Sequence, residues 1–462
     1  MESMNPLRRP AFRRLYAAQV IALVGTGLST VALTLLAYDL VGGNAGVVLG
    51  TALAFKMLAY VVFAPIVGGL AHRFPRKTLL ISLDVVRAGI VLLMPFVTAV
   101  WQIYVLIFVL NLFSAGFKPV FAATIPDILP DEREYTRALS FSRLAYDLEN
   151  LLSPMFAGLA LLFMGYSSLF MANSVAFLIS AVLVLATTLP VIQAVDRPGG
   201  LWWEISFGIR SYMRTPRLRG LLALYLAVSA ASAMIIVNTV VYVREVLGGT
   251  ESDTAVAFAA SGAGSMVAAL ALPRVLDRIS DRPAMLTGCA VMALGMFLMS
   301  TSPGLQTMLA VWFLVGLGWS LVQTPAGRVV NRSSSESDRP AYFSAQFALS
   351  HGCWLLAYPV AGQLGAAIGI GTTAMIMGGA VLVFGVLGAI LWPTEDPEML
   401  DHHHEAVSHT HLHSHDPHHQ HEHAGWEGPE PHRHPHEHLA GTHRHTFVID
   451  DHHAIWPQSS HA

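Results

Sequence analysis

The chain has 462 residues, of which 54% are hydrophobic and only 12% are charged, and its mean hydropathy is +0.53. Soluble domains carry about 25% charged residues, so this composition excludes a soluble protein and indicates a polytopic membrane protein. The formal net charge of −3 combines two opposed parts. Residues 1–392 hold 25 Lys and Arg against 18 Asp and Glu, whereas residues 393–462 hold 2 against 12.

Twelve apolar segments follow one another, each near the length of about 20 residues that crosses a bilayer as a helix. The longest connection comes after the sixth segment. We therefore predict an all-α membrane protein with an N-terminal six-helix bundle (1–189), a cytoplasmic linker (190–218) and a C-terminal six-helix bundle (219–392). The predicted spans are 14–40, 46–71, 78–99, 102–125, 138–163, 167–189, 219–243, 254–276, 284–302, 305–327, 341–366 and 370–392.

Basic residues gather in every second loop. Because the Lys and Arg residues of short loops stay in the cytoplasm, this alternation predicts that both termini are cytoplasmic. The linker at 190–218 mixes Trp202 and Trp203 with Arg210 and Arg214. We expect it to connect the bundles, and its composition is also compatible with an amphipathic helix on the inner leaflet.

A short basic turn follows the second span and recurs after the eighth. Residues 68–77 read Gly-Gly-Leu-Ala-His-Arg-Phe-Pro-Arg-Lys, and residues 277–282 read Asp-Arg-Ile-Ser-Asp-Arg. Small residues followed by Arg at fixed offsets suit a tight cytoplasmic loop between two membrane helices. The residues that we expect to form gating loops are Gly69, His72, Arg73, Arg76, Lys77, Asp277, Arg278 and Arg282.

The two halves of six spans, the central loop and the repeated turn resemble the major facilitator superfamily. Asp84-x-x-Arg87 in the third span and the run at 117–127 are similar to its exporter branch, which includes siderophore and macrolide efflux proteins. The resemblance implies two pseudo-symmetric bundles around a midplane site, driven by a proton gradient. His72 and Pro75 stand where that family usually has Asp and Gly, which predicts a softer or pH-sensitive gate in the N-terminal half.

Charged side chains within the spans are candidates for transport and proton coupling, because ionisable groups at membrane depth are costly. In the fifth span, Arg143, Asp147 and Asn150 share one helix face, and Glu149 points roughly opposite. Arg143 and Asp147 form either a structural pair or part of a site in which Asp147 or Glu149 binds the exported cation and exchanges it for protons. The full set of candidates is Asp147, Glu149, Arg143, Asn150, Asp84, Arg87 and Lys56.

Three of these candidates and two further residues have simpler interpretations. Asp84 and Arg87, one turn apart, suit a structural salt bridge near the cytoplasmic end of the third span. Lys56 and Lys118 would repel a divalent cation, so we expect each to be paired or to extend towards the membrane surface. His351, near the middle of the eleventh span, is either a hydrogen-bonded core residue or a metal ligand.

The region 393–462 has a different composition from the rest of the chain. It holds 20 of the 22 histidines, and its Pro and Gly residues exclude a long helix, so we predict a disordered cytoplasmic tail. Imidazole binds Zn, Cu and Ni ions well, which predicts that the tail binds metal. With His351, the candidate ligands are His402, His403, His404, His409, His411, His413, His415, His418, His419, His421, His423, His432, His434, His436, His438, His443, His445, His452 and His453. Apolar residues between 447 and 456 suggest that this part docks on another element, whose position the sequence does not give.

A facilitator-type exporter with such a tail resembles the NreB-type nickel-resistance exporters of bacteria. The resemblance implies export of Ni(II), with Co(II) as a poorer substrate, across the inner membrane by proton antiport, while the tail buffers the metal. The implied partners are the lipid bilayer, a divalent metal ion and protons, with no cofactor, no nucleic acid and no obligate protein partner. No nucleophile, phosphate-binding or ATPase motif stands out, so we do not expect an enzyme.

Two other functions remain open. The chain could export a siderophore or a drug while its tail senses metal, because its aromatic residues suit a bulky substrate equally well. It could also be a membrane-tethered metal store or sensor with a bundle that no longer transports, although the charges in the third and fifth spans argue against this.

Overall fold

The computed structural model describes residues 5–41, 45–190, 200–396, 399–404, 407–413, 432–438, 441–449, 453 and 456–457. Up to residue 391 its regular elements are helices. They are α1 (Pro10–Val41), α2 (Ala45–Leu70), α3 (Arg76–Leu93), α4 (Val100–Ile128), α5 (Glu132–Leu161), α6 (Tyr166–Leu185), α7 (Leu201–Arg214), α8 (Pro216–Ala233), α9 (Thr239–Val241), α10 (Glu251–Leu276), α11 (Asp281–Met299), α12 (Leu305–Arg332), α13 (Arg339–Ile368) and α14 (Ile370–Leu391). Two π-helical turns, Met234–Asn238 and Tyr242–Val246, flank α9 and continue α8 into one long span.

Ten helical segments of the described chain are long and apolar enough to cross a membrane. The two predicted spans outside this set are α5 and α13. Each has 30 residues and packs within the bundles. Helix α5 carries Arg143, Asp147 and Glu149, and α13 is rich in small and polar residues, so both are less hydrophobic than the other spans. The all-α fold with two bundles is confirmed.

The helices form two bundles that meet along two symmetric seams. In the first bundle α1 packs on α5 and α6, α2 on α4, and α3 on α6. In the second bundle α8 packs on α13 and α14, and α12 packs on α10 and α11. The bundles meet where α2 packs on α13 and where α5 packs on α10. Small residues permit the closest approaches, because a Cβ on Gly316 of α12 would overlap the backbone oxygen of Ser261 in α10.

The linker contains helix α7, which lies against α2 and α13. Gly208 faces the backbone of Ala341, and the buried hydroxyl of Tyr212 donates a hydrogen bond of 2.5 Å to Gln346 of α13. Burial raises the pKa of Tyr212 well above its usual range, so the hydroxyl remains a neutral donor. Helix α7 of the linker is therefore fixed against both halves of the molecule, and residues 191–199 of the linker lie outside the described residues.

The tail contains four strands, β1 (Met399–His404), β2 (Val407–His413), β3 (His432–His438) and β4 (Gly441–Thr446). β1 pairs with β4 and β2 with β3, both antiparallel, and the second register sets His409, His411 and His413 opposite His436, His434 and His432. At these residues the structure has paired strands, whereas the sequence predicts a disordered segment for the tail as a whole. Pro and Gly exclude helices, but the alternation of His with other residues has the two-residue period of a strand. Pro435 is tolerated because each sheet has only two strands, both of them edges.

Candidate functional site

An ion-pair group centred on Asp127 joins the two bundles at one end. Asp127, in the last turn of α4, is almost fully buried and contacts the guanidinium groups of Arg76 and Arg339. Arg76 begins α3 in the first half, and Arg339 begins α13 in the second half. Arg76 also donates a hydrogen bond of 2.9 Å to the backbone oxygen of Glu336. One buried carboxylate thus binds basic groups from both halves, which holds this end closed.

Further ion pairs lie beside it at the ends of α5 and α12. The side chain of Glu132 is 2.5 Å from Arg328, and Arg328 is 3.2 Å from Asp281 of the same half. Arg133 is 3.3 Å from Asp277, but both side chains are largely exposed, so this pair contributes little. We call this end of the bundles, with its Arg-rich loops, the basic face.

The first predicted gating loop is bound to the linker helix α7. Arg73 donates hydrogen bonds of 3.0 and 2.7 Å to the two carboxylate oxygens of Glu204, and His72 Nε2 lies 3.6 Å from the same group. Gly69 lies against the backbone of α7 at Glu204 and Ile205, where a side chain would clash. Helix α7 is therefore in direct contact with this loop.

The other predicted loop residues have different positions. Arg282 donates hydrogen bonds of 2.8 and 2.9 Å to the carbonyls of Ala389 and Trp392, so it caps α14 within its own half. Within the described residues, Lys77 and the exposed Arg278 have no ion-pair partner. Of the second loop, Asp277 is the residue that reaches across to the other half.

Arg143 and Asp147 form a link between the bundles on the α5–α10 seam. Arg143 lies 2.9 Å from Asp147, and Ser265 of α10 donates a 2.7 Å hydrogen bond to the same carboxylate. Arg143 also donates to Gln323 of α12 at 2.6 Å and lies over the ring of Trp319. The pair predicted from sequence is present, and its partners in the second half make it a contact that must change when the bundles separate. The side chain of Asn150 lies outside the described residues.

Asp84 and Arg87 belong to the interior of the first bundle. Asp84 is fully buried, contacts Arg87 and accepts a 2.7 Å hydrogen bond from Ser180 of α6. The guanidinium of Arg87 lies between the rings of Phe117 and Phe177 at 4.0 and 4.4 Å. This geometry fits a structural ion pair that fastens α3 to α4 and α6.

A second group of polar and charged side chains lies near the middle of the α2–α13 seam. It consists of Lys56, Tyr60, Lys118, Glu149 and His351, and we call it the lysine cluster. Lys118 of α4 donates a 3.1 Å hydrogen bond to the hydroxyl of Tyr60, and both ammonium groups lie within 6 Å of the Tyr60 ring. Glu149 is near enough to interact electrostatically with both lysines. No carboxylate of the described chain is within 4 Å of either ammonium group, so neither lysine forms a direct ion pair there.

His351 supplies the side of the lysine cluster that belongs to the second half. Its Nδ1 is 2.7 Å from the carbonyl of Phe347, so this nitrogen carries the proton and Nε2 is left as an acceptor. The imidazole packs at 4.8 Å from the Tyr60 ring, at 4.1 Å from Phe347 and at 5.4 Å from Trp354. Within the described residues, no three His, Cys, Asp or Glu side chains converge as they would around a metal ion.

The end of the tail docks on the basic face. Phe447 and Ile449 are each only 2% exposed, and the hydroxyl of Tyr342 donates a 2.6 Å hydrogen bond to the backbone carbonyl of Ile449. Val448 lines a cavity of about 300 Å³ together with Arg328, Arg339 and other residues of both halves. The docking position that the sequence left open is therefore beside the ion pairs that close this face.

The comparisons with known proteins agree with the two-bundle architecture. A sequence model described as Major Facilitator Superfamily matches residues 15–250 and 221–426, which together cover most of the chain. The chain belongs to the Major Facilitator Superfamily. It is therefore a multi-pass membrane transporter of a superfamily whose members are generally carriers and not enzymes.

Relatives of this superfamily member include efflux proteins. The uncharacterized MFS-type transporter YfiS of Bacillus subtilis is 31% identical over 159 residues, which cover 33% of this chain and 37% of YfiS. Macrolide efflux protein A of Streptococcus pyogenes is 25% identical over 153 residues, 32% of this chain and 37% of that protein. The aligned part thus spans little more than a third of each relative.

Solved structures of other superfamily members share the fold. The human organic anion transporter MFSD10 superposes with a TM-score of 0.73 at 12% identity, covering 82% of this chain and 99% of that structure. A bacterial homologue of the iron transporter ferroportin, in an outward-facing state with soaked iron, superposes with a TM-score of 0.69 at 11% identity. The superposition covers 82% of this chain and 98% of that structure. At these identities the likeness concerns the fold alone.

Sequence reasoning missed several residues of these sites. In the sequence Asp127 is only the last residue of the family-like run at 117–127, and Gln323, Ser265, Tyr60 and Tyr342 carry no signal of their own. Each becomes notable only through a partner at least 51 positions away in the chain.

Proposed function

We propose that this transporter exports Ni(II), with Co(II) as a poorer substrate, from the bacterial cytoplasm across the inner membrane in exchange for protons. The observation that carries the proposal is the tail of 20 histidines, whose far end docks beside the gate at the basic face. Basic loops stay in the cytoplasm, so the basic face is the cytoplasmic one. Imidazole nitrogens tethered there raise the effective concentration of a borderline metal ion at the entrance.

Asp147 is the leading candidate for proton coupling. Its carboxylate holds Arg143 of its own bundle and Ser265 of the other, so protonation weakens the contact between the halves. A carrier that alternates between two states needs such a contact on one of its seams. Protons entering from outside would then favour opening towards the cytoplasm after metal release. Glu149 is the second acid at this depth and lies with the lysines instead.

The proposal can be tested in a nickel-sensitive bacterial host. Cells that produce the wild-type chain are expected to tolerate more nickel and to hold less of it at steady state than cells that produce Asp147→Asn. Membrane levels of the two proteins must be equal, and Glu245→Gln, an exposed acid outside both seams, serves as the control. Equal nickel content in all strains would contradict nickel export.

A second function, export of an organic compound such as a siderophore or a drug, is favoured by a different observation. The seam between the bundles carries the rings of Tyr60, Phe347 and Trp354, which suit a bulky planar molecule. Macrolide efflux protein A is among the relatives over part of its length. In that case the tail would sense metal without delivering it, and a host would gain drug tolerance but no nickel tolerance.

A further inference from the structure

We propose that the lysine cluster binds the carboxylate groups of a small organic anion, so that the metal crosses the membrane as a polycarboxylate complex and not as a bare ion. This inference rests on the proposed nickel export and names the chemical form of its cargo. Three features of the cluster support it: its charge, its unused hydrogen-bond donors and its distribution over both halves of the transporter.

The first feature is an excess of positive charge. Lys56 and Lys118 bring two ammonium groups to the middle of the α2–α13 seam, against the single carboxylate of Glu149. A bare divalent cation at this position would face net repulsion, and the low dielectric of a membrane interior strengthens it. An anionic complex has the complementary charge.

The second feature is the number of free donors. Each lysine ammonium carries three donor hydrogens. In the described part of the chain, Lys118 uses one of them on the hydroxyl of Tyr60, and neither lysine has a carboxylate within 4 Å. Both side chains are half-buried, so they are only partly hydrated. Carboxylate oxygens are the acceptors that would satisfy such donors with charge-assisted hydrogen bonds.

The third feature is the opposite wall of the cluster. His351 presents Nε2 as an acceptor, because its Nδ1 hydrogen is held by the carbonyl of Phe347. A neutral imidazole is a suitable ligand for a borderline metal that retains an open coordination position. The lysines lie on α2 and α4, whereas His351 lies on α13. One complex could therefore be held through its anion by the first half and through its metal by the second half.

The test uses the full chain in proteoliposomes with a proton gradient, supplied with radioactive nickel and carbon-labelled citrate. We expect both labels to move together, and nickel without citrate to move at least about tenfold more slowly. Lys56→Met and Lys118→Met should each lower the movement of both labels by about tenfold, the effect of losing one charge-assisted hydrogen bond. Lys118→Arg should restore part of the activity, because it keeps the charge.

The control is Arg219→Met, which removes an exposed cation at the start of α8 and should leave both rates unchanged. Unchanged size-exclusion profiles in detergent would show that the lysine variants are folded. Nickel that moves equally well without citrate, with lysine variants as active as the wild type, would overturn the inference and leave nickel export standing. No movement of nickel under any condition would overturn the proposed function and the inference with it.

Discussion

The hydroxyl of Tyr342 donates a hydrogen bond to the backbone carbonyl of Ile449, over a distance of 2.6 Å. This contact fixes the far end of the tail to α13. The near end is also fixed, because Asp396 lies 2.7 Å from Arg332 and accepts a 3.0 Å hydrogen bond from Trp392. The histidines between these points are thus tethered at both ends to the basic face. Under the proposed function, a metal ion bound to them would stay close to the gate.

Releasing residues 447–449 from the basic face should make the tail accessible to proteases. Ile449→Asp places a charge in a fully buried position, whereas Tyr342→Phe removes one hydrogen bond of about 1 kcal/mol. We expect limited proteolysis of the tail to be much faster in Ile449→Asp and about fivefold faster in Tyr342→Phe. Tyr38→Phe, which alters an exposed tyrosine on α1, should match the wild type. Cleavage at the wild-type rate in Ile449→Asp would show that the docked segment does not protect the tail.

Neutralising Asp127 should open the basic face. Asp127→Asn leaves Arg76 and Arg339 close together without their shared carboxylate, so the closed state loses a buried ion-pair group. Spin labels at Phe74→Cys and Ile279→Cys, exposed positions in the two equivalent loops, would report the distance between the halves. We expect the variant to shift the distance distribution to longer values. The control Glu395→Gln, which changes an exposed acid, should leave the distance distribution unchanged. An unchanged distribution in Asp127→Asn would refute a gating role for Asp127.

Replacing Asp147 and replacing Glu149 should change transport in different ways. Asp147→Asn removes the charge that holds Arg143, so we expect uptake that no longer responds to a proton gradient, with a rate at least about tenfold lower. Glu149→Gln leaves two lysines without a compensating acid, which should strengthen anion binding and slow release. Rates in vesicles with and without the gradient would separate the two effects. Wild-type behaviour of both variants would remove these acids from the transport cycle.

Metal binding by the tail should depend on pH. An unperturbed histidine titrates near 6.5, and a metal ion must displace its proton, so binding is present at pH 7.5 and is lost as the pH falls through 6.5. Equilibrium dialysis should find several nickel ions per full-length chain at pH 7.5 and almost none at pH 5.5. A chain ending at Trp392 should bind far less at pH 7.5, and equal binding by both forms would place the metal elsewhere.

The two bundles could be predicted from the sequence because bilayer thickness and loop charge act on each segment locally. The gate could not be predicted, because Asp127 and Arg339 are 212 positions apart in the chain. In the sequence, neither residue differs from an ordinary charged residue of a loop. The contact between Arg143 and Asp147 follows from their helical spacing, but their contacts with Ser265 and Gln323 depend on the fold. In the tail, proline excludes long helices but not strands, and the alternation of histidines has the two-residue period of a strand.

Nickel uptake into everted inner-membrane vesicles, with and without a proton gradient, tests proton-coupled nickel export most directly. Full-length protein would be compared with a form ending at Trp392, with citrate present in all samples. We predict gradient-dependent uptake by both forms, with lower affinity for nickel in the form without the tail. Nickel binding by the full-length protein without gradient-dependent uptake by either form would contradict nickel transport and favour an organic substrate with a metal-responsive tail.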